Sequence, residues 1–213
     1  MALPSRLVVA TRNEGKRREF AEIFQGHCPR GPGQGGVADP ELLAPPADMP
    51  EPVEDGETFE ANALIKARAA NAATGLPAMA DDSGIAVEAL GGRPGVRSAR
   101  YAGEHASDAE NLALLLDEMA ALRDPVERRA AYVAAIAYVD GSGEEVTVEA
   151  RCEGALIEAP RGDGGFGYDP VFVPLDTGPE DSRTMAELDS SEKHAISHRG
   201  RAARALVERL AAE

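Results

Sequence analysis

The sequence is poor in aromatic residues, cysteine and long apolar segments. Only 4% of its 213 residues are aromatic and none is tryptophan, so aliphatic side chains must fill the core. The two cysteines, Cys28 and Cys152, are too few for a disulfide framework and lack metal-ligand spacing. No apolar run approaches the roughly 18 residues that cross a bilayer, and no signal-peptide core precedes residue 11. We therefore expect a cytoplasmic protein without a membrane partner.

Positive charge is also scarce. The chain has 22 basic and 37 acidic residues, a formal net charge of −15 at pH 7, which argues against a nucleic acid polymer as partner. A small phosphorylated ligand needs only a local cationic pocket. Of the 22 basic residues only three are lysines, Lys16, Lys66 and Lys193. Because an ammonium and a guanidinium are not interchangeable at a tight phosphate site, these three positions indicate where an anion could bind.

The apolar patterns predict an α/β fold with one domain over residues 1–213, in which helices flank a mixed, twisted sheet. Residues 27–56 are rich in proline, glycine and acids and read as a long connection or partly mobile flap. The predicted strands cover 6–11, 78–80, 130–139 and 145–151, with a hairpin turn at residues 140–143, and residues 166–174 read as a glycine-rich turn that leads into a strand. The predicted helices begin after Gly15, at Thr58 as N-cap and at about residue 197, and another runs from about Ser107 to Leu122.

The first candidate site is the short polar loop between the first strand and the first helix. Free backbone N–H groups and the positive end of a helix dipole at such a loop suit phosphate, and Lys16 adds a point charge. The loop is not a Walker A motif, because Ala10 and Arg17 stand where glycine and serine or threonine are required. An ordinary strand-to-helix turn is the alternative. The loop residues are Thr11, Arg12, Asn13, Glu14, Gly15 and Lys16.

The second candidate site is Asp81-Asp82-Ser83-Gly84, which we place at the end of the strand 78–80. Adjacent carboxylates there point to different sides, so one can hold Mg²⁺ while the other supports it from behind. A common aspartate-rich turn capped by Ser-Gly is the alternative.

Two further segments combine rings or cations with glycine or a helix start. In Phe166-Gly167-Tyr168-Asp169 the rings can stack on a base while Asp169 reads its edge, although core packing of the rings explains the pattern equally well. Residues 191–199 gather Lys193, His194, His198 and Arg199 at a predicted helix start, which favours an anion or a purine carbonyl. The two histidines have zinc spacing but no third ligand signal, so we do not expect zinc.

Taken together, these segments resemble the inosine triphosphate pyrophosphatase family, also called the HAM1 family. The matching pieces occur in family order and reach nearly from end to end of the chain. They are ATRNEGK (10–16), TFEANALIKA (58–67), MADDSGIAVEALGGRPGVRSARYAG (79–103), GGFGYDP (164–170) and SEKHAISHRG (191–200).

The resemblance implies a two-lobed mixed α/β fold with a central cleft, usually as a homodimer. It also implies a Mg²⁺-dependent enzyme that hydrolyses the purine nucleoside triphosphates ITP, dITP and XTP to the monophosphate and pyrophosphate. A related enzyme acting on modified pyrimidines, of the Maf type, and a catalytically silent nucleotide-binding module are the alternatives.

The resemblance also implies roles for individual residues. Asp82 would be the metal ligand and general base. The second metal carboxylate would be Glu51, with Glu54 as the rival. Arg12 stands where many relatives have glycine, and either contacts phosphate or points to solvent. The remaining implied substrate contacts are Thr11 to Lys16 and Lys66 for the triphosphate, Ser83, Phe166 to Asp169 for the base, and Lys193, His198 and Arg199 for phosphate or the 6-keto group.

Overall fold

A computed structural model describes residues 3–24, 40–124 and 126–212. The predicted connection 27–56 is therefore covered only from residue 40 onward, and Cys28 lies outside the described residues. Among the described residues, no helix combines the length and the apolar character that a membrane span requires.

Six strands form one sheet in the order β2-β1-β3-β4-β5-β6. β1 runs parallel to β2 and β3, whereas β5 and β6 are antiparallel, which confirms the predicted mixed α/β sheet. β2 was not predicted, because a strand of three residues is too short to show an alternating pattern. The strands are β1 (Arg6–Val9), β2 (Glu41–Leu43), β3 (Ala78–Val87), β4 (Arg129–Val139), β5 (Glu145–Leu156) and β6 (Phe172–Pro174).

Of the five α-helices of the described residues, four begin near the predicted positions, and the helix Ser190–Ile196 was not predicted. Thr58 caps the second helix as expected, since its side chain accepts a hydrogen bond from the Ala61 N–H group at 3.1 Å. The helices are α1 (Glu14–Phe24), α2 (Phe59–Thr74), α3 (Asp108–Glu118), α4 (Ser190–Ile196) and α5 (His198–Ala212).

The predicted position of the aspartate pair was wrong in one respect. Asp81 and Asp82 lie in the middle of β3, not beyond its end, because the strand continues to Val87. The strand passes Gly84 against the segment 95–98, where a Cβ atom on Gly84 would lie 2.3 Å from Ser98 Oγ. Glycine is therefore required there for close packing and does not mark a turn.

The chain divides into two compact units, and β3, β4 and β5 each contribute residues to both. Unit 1 comprises Met1–Asp82, Ala134–Ala150 and Arg199–Glu213. One of its apolar clusters joins β1, α1 and α5 through Leu7, Phe20 and Leu206, all fully buried. A second cluster packs the alanine face of α2 against β1 and β3. Small residues on that face bring the helix close to the sheet.

Unit 2 comprises Ser83–Val133 and Arg151–His198. Its core includes Ile85, Leu115, Tyr132 and Phe172. The helix α3 begins with a Ser107 capping box but ends at Glu118, four residues earlier than predicted. The Met119 and Leu122 carbonyl groups instead accept hydrogen bonds from the buried Arg128 guanidinium. These bonds take the place of the backbone hydrogen bonds of a further helical turn.

The basic segment 191–199 was predicted to lie at the start of one helix, but it belongs to two helices. Ser197 has extended backbone (ψ 152) and separates α4 from α5. Lys193 therefore lies on α4, whereas His198 and Arg199 begin α5. A local sequence pattern does not reveal this break, because serine is tolerated inside helices and at their ends.

Candidate active site

The loop before α1 has the predicted strand–loop–helix geometry. Asn13 Oδ1 accepts a hydrogen bond from the Lys16 N–H group at 3.0 Å, and Thr11 Oγ1 accepts one from the Asn13 N–H group at 3.1 Å. Asn13 thus acts as the N-cap of α1 and holds the loop in shape. Contact with phosphate stays a prediction for Thr11 to Lys16.

Lys16 turns inward to a buried carboxylate. Its Nζ atom lies 3.0 Å from Asp81 Oδ2, and Arg199 donates to the same oxygen through Nε (3.2 Å) and Nη2 (3.1 Å). Arg199 Nη1 binds Glu19 as well. Burial alone would raise the pKa of Asp81, but Lys16 and Arg199 outweigh it and hold that pKa below its usual range. Asp81 is therefore a permanent anion that anchors two cations.

Asp82 contacts a different set of side chains. Lys66 Nζ donates to Asp82 Oδ1 and to Glu54 Oε2, both at 3.1 Å, and Asn62 Nδ2 donates to Asp82 Oδ2 at 3.2 Å. Asn62 and Lys66 are one turn apart on α2 and so lie on the same helix face. Burial raises the pKa of Asp82, whereas the surrounding carboxylates, chiefly Asp82, raise that of Lys66 against the effect of its own burial.

The neighbouring aspartates therefore reach separate partners, as expected for adjacent residues of a strand. Two of the three lysines bind this pair of carboxylates, Lys16 through Asp81 and Lys66 through Asp82. We call this group the charged cluster: Lys16, Glu19, Glu54, Lys66, Asp81, Asp82 and Arg199, all in unit 1.

The carboxylates of the charged cluster are placed so that a metal ion could bind between them and the substrate. Oxygens of Asp82 and Glu54 both lie 3.1 Å from one cationic atom, Lys66 Nζ, so the two carboxylates converge. Within residues 3–24, 40–124 and 126–212 no three acidic, histidine or cysteine side chains are grouped closely enough to bind a metal unaided. Mg²⁺ binds by one or two carboxylates together with water and phosphate oxygens, so the convergence of two suits it.

Glu51 has a different environment. Its carboxylate lies 3.9 Å from Arg12 Nη1, and its side chain is 70% exposed. Arg12 also donates to the Met49 carbonyl group at 2.7 Å, which ties the loop before α1 to the segment that precedes α2. Of the two rival carboxylates, Glu54 is the one that shares a partner with Asp82.

A second cluster forms around Asp169 in unit 2. The buried Asp169 carboxylate accepts from Tyr132 Oη (3.1 Å), the Phe166 N–H group (3.0 Å) and Lys193 Nζ (2.9 Å). Lys193 Nζ also lies 5.1 Å from the centroid of the Phe166 ring. The Tyr132 ring stacks on His198, with centroids 4.6 Å apart and planes 8° apart. We call Tyr132, Phe166, Asp169, Lys193 and His198 the aromatic cluster.

The two rings of the Phe166–Asp169 segment have different environments. Tyr168 is 4% exposed and donates to the Ser98 carbonyl group at 2.8 Å, so its ring packs into the core. Phe166 is 36% exposed. Gly165 has φ 72°, and a Cβ atom there would lie 2.1 Å from Asp169 Oδ2, so glycine lets the turn close over the carboxylate. Substrate contacts of this segment, and of Ser83, remain predictions.

Sequence reasoning missed Asn62 and Tyr132. Asn62 is a polar residue one helical turn from Lys66 in an alanine-rich helix, which is a usable sequence signal, and the structure buries it. Tyr132 is one of only four tyrosines and lies within a mostly aliphatic strand, which is a weaker signal.

Comparison with known proteins identifies the class to which this arrangement belongs. The profile of the Ham1 family matches residues 7–209, so the chain belongs to that family. A protein of Symbiobacterium thermophilum named dITP/XTP pyrophosphatase is 51% identical over 97% of this chain and 95% of its own length.

Solved structures agree with this assignment. A HAM1 protein from Coxiella burnetii superimposes with a TM-score of 0.79 at 38% identity, over 100% of both chains. A nucleoside-triphosphatase, also named dITP/XTP pyrophosphatase, from Mycobacterium abscessus superimposes with a TM-score of 0.70 at 45% identity, over 95% of this chain and 98% of that one. The mixed α/β fold is therefore that of HAM1 proteins.

Proposed function

We propose that this protein hydrolyses the non-standard purine nucleotides ITP, dITP and XTP to the monophosphate and pyrophosphate, and so removes them from the nucleotide pool. A relative named dITP/XTP pyrophosphatase matches almost the whole chain. The observation that carries the proposal is the charged cluster, in which two partly buried lysines each bind one of two adjacent aspartates.

The reaction would require Mg²⁺, and Asp82 would be its principal ligand. The family resemblance implies Glu51 as the second carboxylate, with Glu54 as the rival. The contact that Glu54 shares with Asp82 through Lys66 favours Glu54. When bound, Mg²⁺ neutralises triphosphate charge and makes a bound water more acidic.

The residues of the charged cluster would divide the remaining work. Water attacks the α-phosphorus, its proton passes to Asp82, and the bond from that phosphorus to the bridging oxygen breaks as pyrophosphate leaves. Lys16, Lys66 and the N–H groups of the loop before α1 would stabilise the charge that develops on pyrophosphate. Asp81 and Arg199 would keep Lys16 in place. Catalysis would thus consist mainly of positioning and electrostatic stabilisation.

The aromatic cluster would recognise the base. Phe166 offers a partly exposed ring for stacking, and Lys193 and His198 offer donors for a 6-keto oxygen. Adenine carries a 6-amino group, which would leave those donors unpaired at a cost of about 1–3 kcal/mol for each missed bond. The enzyme would therefore prefer hypoxanthine and xanthine to adenine.

A homodimer located in the cytoplasm completes the proposal. The family resemblance implies the homodimer, and the lack of a long apolar run or signal-peptide core in the sequence favours the cytoplasm. Light scattering coupled to size-exclusion chromatography measures the mass directly, and the proposed dimer has twice the 22.3 kDa of one chain.

A pyrophosphate-release assay tests the proposed function. We expect release from ITP, dITP and XTP in Mg²⁺, much slower release from ATP and GTP, and none after EDTA treatment. An Asp82→Asn variant purified in parallel controls for contaminating hydrolases. Including dUTP and dTTP separates the Maf-type alternative, since preferential hydrolysis of either pyrimidine would refute the purine assignment.

A further inference from the structure

Tyr132 contacts two of the predicted base-recognition residues at once. Its hydroxyl donates to Asp169 Oδ1 at 3.1 Å, and its ring lies parallel to the His198 ring at 4.6 Å. The Tyr132 side chain is itself held by the Phe172 ring, with centroids 4.7 Å apart and planes tilted by 59°. With an exposed fraction of 6%, Tyr132 is buried between two side chains that are predicted to contact the substrate.

We propose that Tyr132 is a positioning residue that sets the discrimination between 6-keto and 6-amino purines. This inference rests on the proposed function, because it assumes that the aromatic cluster recognises the base. Tyr132 would act through Asp169 and His198 and would not touch the substrate itself.

The hydrogen bonds of Asp169 show how one hydroxyl can have this effect. Tyr132 donates to Oδ1, whereas the Phe166 N–H group and Lys193 Nζ both bind Oδ2. Together these contacts fix the rotation of the carboxylate. Loss of the Tyr132 hydroxyl would free Oδ1, so the carboxylate could turn and Lys193 would lose its fixed position.

The ring of Tyr132 has a separate role. A parallel stack against His198 restricts the imidazole to one plane, and therefore restricts the directions in which its nitrogens can donate or accept. A flat side chain at position 132 is needed for this contact, but a hydroxyl is not. The two roles can thus be separated by substitution.

Two variants and one matched control test the proposal. Tyr132→Phe keeps the stack and removes only the hydroxyl, and Tyr132→Leu removes both. Tyr138→Phe is the control, because Tyr138 lies on the same strand, is 3% exposed and belongs to the apolar core of unit 1. Steady-state kinetics with ITP and ATP, together with thermal unfolding, are measured for all of them.

We expect Tyr132→Phe to raise KM for ITP by about 5- to 20-fold while kcat changes less than about threefold. KM for ATP should hardly change, so the preference for ITP falls by the same factor. Tyr132→Leu should reduce the preference further, and Tyr138→Phe should leave it unchanged. If Tyr132→Phe leaves the ratio of the KM values for ATP and ITP unchanged, the proposal is overturned. A merely structural role would weaken the binding of both substrates alike.

Binding measurements keep this inference separate from the proposed function. ITP and ATP are titrated calorimetrically onto Asp82→Asn, with and without Tyr132→Phe. If the wild-type protein does not hydrolyse ITP, the proposed function fails, but selective weakening of ITP binding by Tyr132→Phe still supports the role of Tyr132. If ITP is hydrolysed and Tyr132→Phe weakens neither ligand selectively, only the role of Tyr132 is refuted.

Discussion

The charged cluster and the aromatic cluster stabilise their buried polar groups in different ways. In the charged cluster, side chains of both signs alternate: Lys16 and Arg199 share Asp81, and Lys66 joins Asp82 to Glu54. In the aromatic cluster the ion pair of Lys193 with Asp169 is surrounded by rings.

The difference indicates which part of a nucleotide each cluster suits. Alternating charges hold ammonium groups in place and leave a local field that a polyphosphate with its metal can use. Aromatic rings beside a directed ion pair suit a flat base, which offers a face for stacking and a few edge atoms for hydrogen bonds. Changes in the charged cluster should therefore affect all triphosphates alike, and changes in the aromatic cluster should depend on the base.

Asp82→Asn should have the largest effect. The amide cannot take a proton from water and binds Mg²⁺ poorly, so kcat should fall by about 10³-fold for ITP and XTP alike. Lys66 retains Glu54 as a partner, so the fold should survive. Asp55→Asn, an exposed change in the segment before α2, is the matched control and should behave like wild type. Near-normal turnover by Asp82→Asn would refute its role.

Arg199→Met should have the largest effect on stability. It leaves the buried Asp81 and the nearby Glu19 without the guanidinium, and loss of one partner of a buried ion pair costs about 3–5 kcal/mol. Arg209→Met, an exposed change on the same helix, should cost less than about 0.5 kcal/mol. Urea denaturation measures both. A loss below about 1 kcal/mol for Arg199→Met would show that the charged cluster is not essential to the fold.

Much of the fold follows from local sequence patterns. The loop before α1, the Thr58 cap and the hairpin between β4 and β5 were predicted because each depends on residues close together in the chain. Two of the three lysines, Lys16 and Lys66, lie together in the charged cluster, and their contact with an anionic ligand stays a prediction. In a chain rich in arginine, a rare lysine is informative.

The features that were missed depend on contacts between distant residues. Two aspartates inside a strand are unfavourable by propensity alone, and Arg199, which binds Asp81, is 118 positions away in the sequence. Similarly, Tyr132 and Asp169 are 37 positions apart, so the sequence around Tyr132 does not predict that its hydroxyl donates to Asp169. Local patterns cannot predict such pairs without the tertiary fold.

Phe166→Ala tests the aromatic cluster from its exposed side. Stacking on an aromatic ring contributes about 1–3 kcal/mol per base, so KM for ITP and XTP should each rise about tenfold. Inorganic tripolyphosphate has no base, so its inhibition constant against ITP hydrolysis should not change. Leu175→Ala, at a 66% exposed apolar residue of the same unit, is the control. If Phe166→Ala weakens tripolyphosphate as much as ITP, the division of roles between the clusters is wrong.

Arg12→Gln should have the smallest effect, and it tests whether burial, not charge alone, defines the charged cluster. Arg12 is 53% exposed and pairs with the exposed Glu51 at 3.9 Å, so its loss should change the free energy of unfolding by less than about 1 kcal/mol. KM for ITP should change less than about threefold, because the Met49 contact orders the loop only from outside. Arg17→Gln, at an exposed pair with Glu14, is the control on the same loop and helix. A tenfold rise in KM for every triphosphate, confined to Arg12→Gln, would instead make Arg12 a direct phosphate contact and extend the charged cluster to the surface.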